Sequence, residues 1–174
     1  MWKAVSLAVS KDGRFIAAEL FSNVLVWDVT NYEQVFAGKI DMAIYDIDFL
    51  PDSTRLVSAG PNDTATIWDF TMSHKVQLLS HGGKEVAAKY SPPGDRIATA
   101  SCKSIRVWAS DNGRLLVDIK VAVVPWGGLL WLNNHLLVNT EDSEVKQINA
   151  SIGSTVSEWP VPHAGLPSRN LGNS

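Results

Sequence analysis

The chain has 174 residues, enough for one domain with a sizeable core, and its 45% apolar and 19% charged content describes a globular protein and not a disordered one. Its net charge is −3, from 18 acids against 15 scattered bases with no basic stripe, which argues against nucleic acid as a partner. The one cysteine, Cys102, excludes an internal disulfide, and no apolar run reaches the roughly 20 residues that cross a bilayer.

The opening stretch MWKAVSLAVS runs straight into Lys11-Asp12-Gly13, a turn signal, so it reads as a strand and not as a secretory leader. A strand FIAAEL follows over 15–20, then VLVWDV over 24–29, then EQVFAG over 33–38. The same order begins again: an apolar segment ending in Phe49, the turn LPDSTRL, then RLVSAG, ATIWDF and KVQLLS. It returns a third time with Tyr90, the turn SPPGDRI, then RIATAS, SIRVWAS and RLLVDIK. A fourth round runs from Trp131 through Asn133-Asn134 to HLLVNT, EVKQINA and TVSEWPV. Pro, Asp, Asn and Gly supply the fixed or positive φ that such tight reversals need. In TATIWD, Ala65 and Ile67 face one way while Thr66 and Trp68 face the other, the period of a strand. The second segment of each round is rich in small apolar residues (Ala17, Ala18, Ala59, Ala98, Ala100), as in a strand buried on both faces. No segment carries a helical stripe, so no helix longer than two turns is expected.

The rounds keep strict spacing. Trp27, Trp68 and Trp108 lie 41 and 40 residues apart, and Ile148 stands 40 further on. Val9, Phe49, Tyr90 and Trp131 form a parallel set at 40, 41 and 41. The unit is therefore four short strands per roughly 40 residues, repeated four times.

This spacing, with Trp-Asp closing the third strand, resembles the WD40 repeat family over about residues 4 to 163. The resemblance implies an all-β fold, a WD40-type β-propeller with about four four-stranded blades, near residues 1–40, 41–80, 81–121 and 122–163, within a region 1–165. Residues 166–174 are expected to form a flexible tail. Propellers usually have more blades than four. A partial ring or open arc is therefore expected, with self-association or the remainder of a longer propeller covering its end blades. The fourth blade, without the tryptophan and with Pro160, Pro162 and Pro167 near its end, is expected to be the loosest. Family blades carry a buried polar set of His, Ser or Thr, Asp and Trp. Here it resolves only in part, as Ser58, Asn62 or Asp63, and Trp68 in the second repeat, and as His81, Thr99 and Trp108 in the third.

What the resemblance implies for function is a scaffold on which other proteins dock, without catalysis or cofactor. The loops entering the first strand or joining the second and third strands should carry the contacts. The candidate residues are Asp41, Met42, Asn62, Lys84, Lys103, Trp126 and Asp142, with Trp126 between Pro125 and Gly127 as the expected aromatic anchor. The alternative is an enzyme or sugar-binding propeller with a site in the central channel. Against it, Ser58, Asp63 and His81 lack a nucleophile-elbow context, and the four histidines, His74, His81, His135 and His163, show no metal-ligand spacing. Gly82-Gly83-Lys84 lacks the frame of a phosphate loop. The inward charges are unequal: Asp46 and Asp48 in repeat two, expected to be solvated, and Lys89 in repeat three. The sequons at Asn62 and Asn149 are read as chance matches. No membrane partner is expected, and the location is expected to be intracellular, cytoplasm or nucleus.

Overall fold

The computed structural model describes residues 6–20, 23–40, 44–52, 54–60, 63–72, 74–80, 85–121, 128–133, 135–139 and 144–160. All regular structure among them is β. The first sheet comprises β1 (Leu7–Val9), β2 (Phe15–Leu20), β3 (Asn23–Asp28) and β4 (Glu33–Lys39). The second comprises β5 (Asp46–Phe49), β6 (Arg55–Ala59), β7 (Thr64–Asp69) and β8 (His74–Ser80). The third holds β9 (Glu85–Tyr90), β10 (Arg96–Ser101), β11 (Ile105–Ala109) and β12 (Leu115–Ile119), and the fourth β13 (Leu129–Leu132), β14 (His135–Asn139), β15 (Glu144–Asn149) and β16 (Thr155–Pro160). Each sheet is an antiparallel meander in chain order, one propeller blade. In every blade the last pair of strands shifts register once, at Val26/Trp27, Ile67/Trp68, Val107/Trp108 and Gln147/Ile148. A bulge at this point adds twist to the outer strand.

The turns follow the residues that make them. Gly13 and Gly94 hold φ of 75° and 83° in the turns after β1 and β9, where a side chain would be strained. Ser10 and Ser91 close the same turns, each hydroxyl accepting the amide of the residue that opens the next strand, Phe15 or Arg96. The aspartate of Trp-Asp ties the turn from third to fourth strand. Asp28 Oδ1 accepts the Thr30 amide and hydroxyl, and Asp69 Oδ1 those of Thr71. Their other oxygens meet Arg14 and Arg55, at 2.8 and 3.3 Å. Thr30's hydroxyl and amide, with Arg14, hold the Asp28 carboxyl at about 2. For Asp69, burial pushes the other way, but Thr71, Met72 and Arg55 outweigh it and the carboxyl stays below its usual range.

The blades stack on one another through three apolar clusters. The first joins Val24, Val26 and Phe36 of blade one to Ile47, Phe49, Leu56 and Trp68 of blade two. The second joins Val57, Ile67 and Leu79 to Tyr90, Ile97 and Trp108. The third joins Ile105, Val107 and Ile119 to Leu129, Leu136 and Ile148. The four blades form an arc that is not closed. Trp68 and Trp108 thus pack on the blade before their own and are buried, at 3% and 6% exposure. Among the described residues no other blade packs on Trp27, which is half-buried.

Part of the buried polar set expected from the family forms. Trp68 Nε1 donates to Ser58 Oγ at 2.8 Å, and Trp108 Nε1 to Thr99 Oγ1 at 2.9 Å. Asp63 does not join it: it is exposed at positive φ in the turn before β7. His81, Asn62 and the tail 166–174 lie outside the described residues. Ile148 occupies the tryptophan slot of blade four and is fully buried in the cluster that joins blades three and four.

Candidate functional site at the inner strands

The first strands β1, β5, β9 and β13 lie side by side along the inside of the arc. They share no ladder, since each belongs to its own sheet, and their backbone groups need other partners. Side chains from the neighbouring blade supply them. Ser6 Oγ accepts the Ile47 amide at 3.1 Å. Asp46 Oδ2 accepts the Ala88 amide at 3.1 Å, and Asp48 Oδ2 the Tyr90 amide at 2.7 Å. Trp131 Nε1 donates to the Lys89 carbonyl at 3.0 Å. These bonds span 41, 42, 42 and 42 residues, one repeat each, so they staple successive blades at the channel.

The inner strands also gather the charges. Lys89 Nζ lies 2.6 Å from Asp46 Oδ1, with side-chain exposures of only 24% and 17%. The expectation of a solvated Asp46 and Asp48 in the channel is corrected here: both are half-buried and each is bonded to a backbone amide. The cause is tertiary, because β9 comes close enough to take water's place. Burial pushes the Asp46 carboxyl above its usual range against the pull of Lys89. Asp48, more weakly served by Lys89 and beside a second carboxylate, is pushed by burial up to about 6. The Tyr90 hydroxyl is buried without a hydrogen-bond partner among the described residues, and burial raises its pKa.

Beside these residues a cavity of about 340 Å³ opens where the first strands end. Val9, Phe49, Tyr90 and Trp131, the equally spaced set of the sequence, all line it, with Asp48 and Leu130 between them. Lys11, Lys89 and three turn residues complete the wall. A second cavity of about 260 Å³ lies between the turns of blades two and three, bordered by Arg55, Asp52, Tyr90 and Asp111. Among the described residues no three His, Cys, Asp or Glu side chains are grouped to hold a metal ion.

Both cavities sit at the end of the blades that carries the turns after the first strands. Of the residues singled out from sequence, Lys103 lies at the opposite end, exposed between β10 and β11 in a turn held by Ser101, whose Oγ accepts the Lys103 and Ser104 amides at 3.2 Å each. Asp41, Met42, Asn62, Lys84, Trp126 and Asp142 lie outside the described residues. Sequence reasoning misses the inner cavity because its signal, the spacing of Val9, Phe49, Tyr90 and Trp131, reads as repeat punctuation until the strands are arranged around one axis.

Comparison with known proteins agrees with this architecture. The family described as WD domain, G-beta repeat matches residues 31–69 and 73–109. The chain is 23% identical over 105 residues to a serine-threonine kinase receptor-associated protein of Dictyostelium discoideum, covering 59% of this chain and 36% of that protein. It is 27% identical over 129 residues to WD repeat-containing protein 18 of Danio rerio, covering 65% and 30%. It is 31% identical over 78 residues to a subunit of chromatin assembly factor 1 of Gallus gallus, covering 44% and 14%. The chain thus matches about a third or less of the length of these relatives. Among the described residues no helix is long and apolar enough to cross a membrane.

Proposed function

From a chain that carries WD40 repeats at 31–69 and 73–109 and folds as four blades, we propose a protein-interaction scaffold without catalysis. The observation that carries the reading is how the polar groups of the core are used. Ser58, the only described member of the sequence's nucleophilic triad in the interior, spends its hydroxyl on Trp68 Nε1 in a buried bond. Asp46 and Asp48 each accept a neighbouring blade's backbone amide with a carboxylate oxygen, and Asp46 also accepts from Lys89. Side chains committed to holding blades together leave the work of recognition to loops on a rigid frame.

The docking surface in this reading is formed by Asp41, Met42, Asn62, Lys84, Lys103, Trp126 and Asp142. Its partners are proteins, in line with the names of the relatives, one a receptor-associated protein and one part of a chromatin assembly factor. A place in the cytoplasm or nucleus fits both names. Self-association, or the remainder of a longer propeller, would cover the end blades. Affinity capture with Lys103→Glu and Trp126→Ala variants beside the unaltered chain tests the assignment. Loss of the same captured proteins from both variants, with the fold intact, is expected. A captured set indifferent to both, or turnover of a sugar or ester substrate, would overturn it.

A further inference from the structure

We propose that the joint between blades two and three is a proton-controlled hinge, closed when the Asp46 and Asp48 pair holds a proton and loosened when both carboxylates are ionised. No ladder crosses this joint, so beyond apolar packing it is side chains that tie β5 to β9. The Ala88 amide and the Lys89 ammonium end on Asp46, at 3.1 and 2.6 Å, and the Tyr90 amide ends on Asp48, at 2.7 Å. One ammonium thus stands against two half-buried carboxylates on the same short strand. Two like charges in such a site ionise together only at a cost, which one shared proton removes. The bond from Arg106 to the Ser80 carbonyl also crosses the joint, and its guanidinium keeps its charge throughout.

The neighbouring joints are stapled without titratable groups. The Ser6 hydroxyl accepts the Ile47 amide between blades one and two, and the Trp131 indole donates to the Lys89 carbonyl between blades three and four. Around the pair, β1 and β13 bring no charge, and Lys11 in the turn after β1 is exposed. From β6 and β10, Arg55 and Arg96 are each engaged by an aspartate of their own blade, Asp69 and Asp95. The Tyr90 phenol is raised by burial and stays neutral. Burial lifts the Asp46 carboxyl and brings that of Asp48 to about 6, against the pull of Lys89. An opened joint restores water and with it the ordinary value of 3.8. Opening therefore becomes easier as pH rises from about 4 to about 6 and changes little above. The hinge lies in the middle of the four blades, so it sets how the loops of the first two stand to those of the last two. It belongs to the frame, and its failure would leave the scaffold reading standing.

Hydrogen exchange of the full chain, followed amide by amide by NMR between about pH 4.5 and about pH 7.5, tests the hinge. Corrected for intrinsic rates, protection of the Ala88 and Tyr90 amides should fall about tenfold over this range relative to the Ile47 amide, which reports the joint before it. Asp48→Asn keeps an oxygen for the Tyr90 amide and should flatten the profile. Asp46→Asn, which leaves Lys89 to Asp48 alone, should move the midpoint down, and Lys89→Gln should move it up. Parallel loss at Ala88, Tyr90 and Ile47 would mean that the chain opens as a whole and would overturn the hinge. So would an Asp48→Asn profile that follows the unaltered chain, or midpoints that ignore both charge changes. If one variant does not fold, the comparison of the three amides in the unaltered chain still decides.

Discussion

Asp48 shows how one side chain can report on the packing of two blades. Its carboxyl is raised from 3.8 to about 6, so the folded chain holds that proton more tightly than the unfolded chain does. The stability linked to this group is therefore full below about pH 4 and is lost as pH rises through about 6. Asp48→Asn keeps the bond to the Tyr90 amide and removes the buried charge. It should stabilise the chain at pH 7 by about 1–2 kcal/mol, after allowing for partial exposure, and change little at pH 4. Urea unfolding across that range checks it; a loss of stability at pH 7 would mean that the ionised form is better solvated than its surroundings suggest. The tryptophans make a second comparison. Trp68, 3% exposed and bonded to Ser58, should lose about 3–5 kcal/mol on truncation to alanine. Trp27 stands at the same position of its blade but is half-buried, and Ala18 occupies the register of Ser58 and Thr99, so no hydroxyl meets its indole there. Trp27→Ala should cost about 1 kcal/mol. Equal losses would show that the position alone, and not the neighbouring blade, sets the worth of the ring.

At the scale of elements, the contact between β4 and the next blade depends on a glycine. A Cβ on Gly38 would lie 2.6 Å from Cζ3 of Trp68 and 2.8 Å from its Cε3. The ring is fixed by Ser58 and by Phe36, whose centroid is 6.0 Å away, so it cannot give way freely. Gly38→Ala should destabilise by about 1–3 kcal/mol as an overpacked contact, measurable by thermal or urea unfolding. Blade four differs from blade two in how its third strand is covered. β7 is buried at every residue after Thr64, whereas β15 is only part-buried except at Ile148. Amides of β15 should exchange with solvent faster than those of β7 in a hydrogen-exchange experiment. Equal protection would mean that the outer face of blade four is covered in solution.

At the scale of the molecule, both ends of the arc present apolar side chains. Leu7 and Val9 are 68% and 62% exposed on blade one, while on blade four Leu130 is 58% and Trp159 47% exposed. These faces are the counterparts of the ones that pack within the arc, where one side of each blade meets the opposite side of the next. The chain at high concentration should therefore associate head to tail, and Leu130→Asp should reduce the association. Sedimentation at increasing concentration checks this; a strict monomer throughout would show that the ends are covered within the chain.

Much of this architecture is legible in the residues alone. The 40-to-41-residue spacing of Trp27, Trp68 and Trp108, with turn residues between alternating strands, carries the all-β blades, because strand period and turn chemistry are local properties. The family resemblance names Ser58 and Thr99 as partners of Trp68 and Trp108, and the structure bears this out because each sits in the adjacent strand of the same blade, at a fixed register. Contacts between blades are not legible. That Asp46 meets Lys89, that Asp48 meets the Tyr90 amide, and that Val9, Phe49, Tyr90 and Trp131 border one cavity depend on the angle at which four sheets fan about an axis. That angle is set by the sum of side-chain volumes at three interfaces and by strand twist, which no single residue encodes. The local pattern determined the blades, and only their packing decided which carboxylate lost its water.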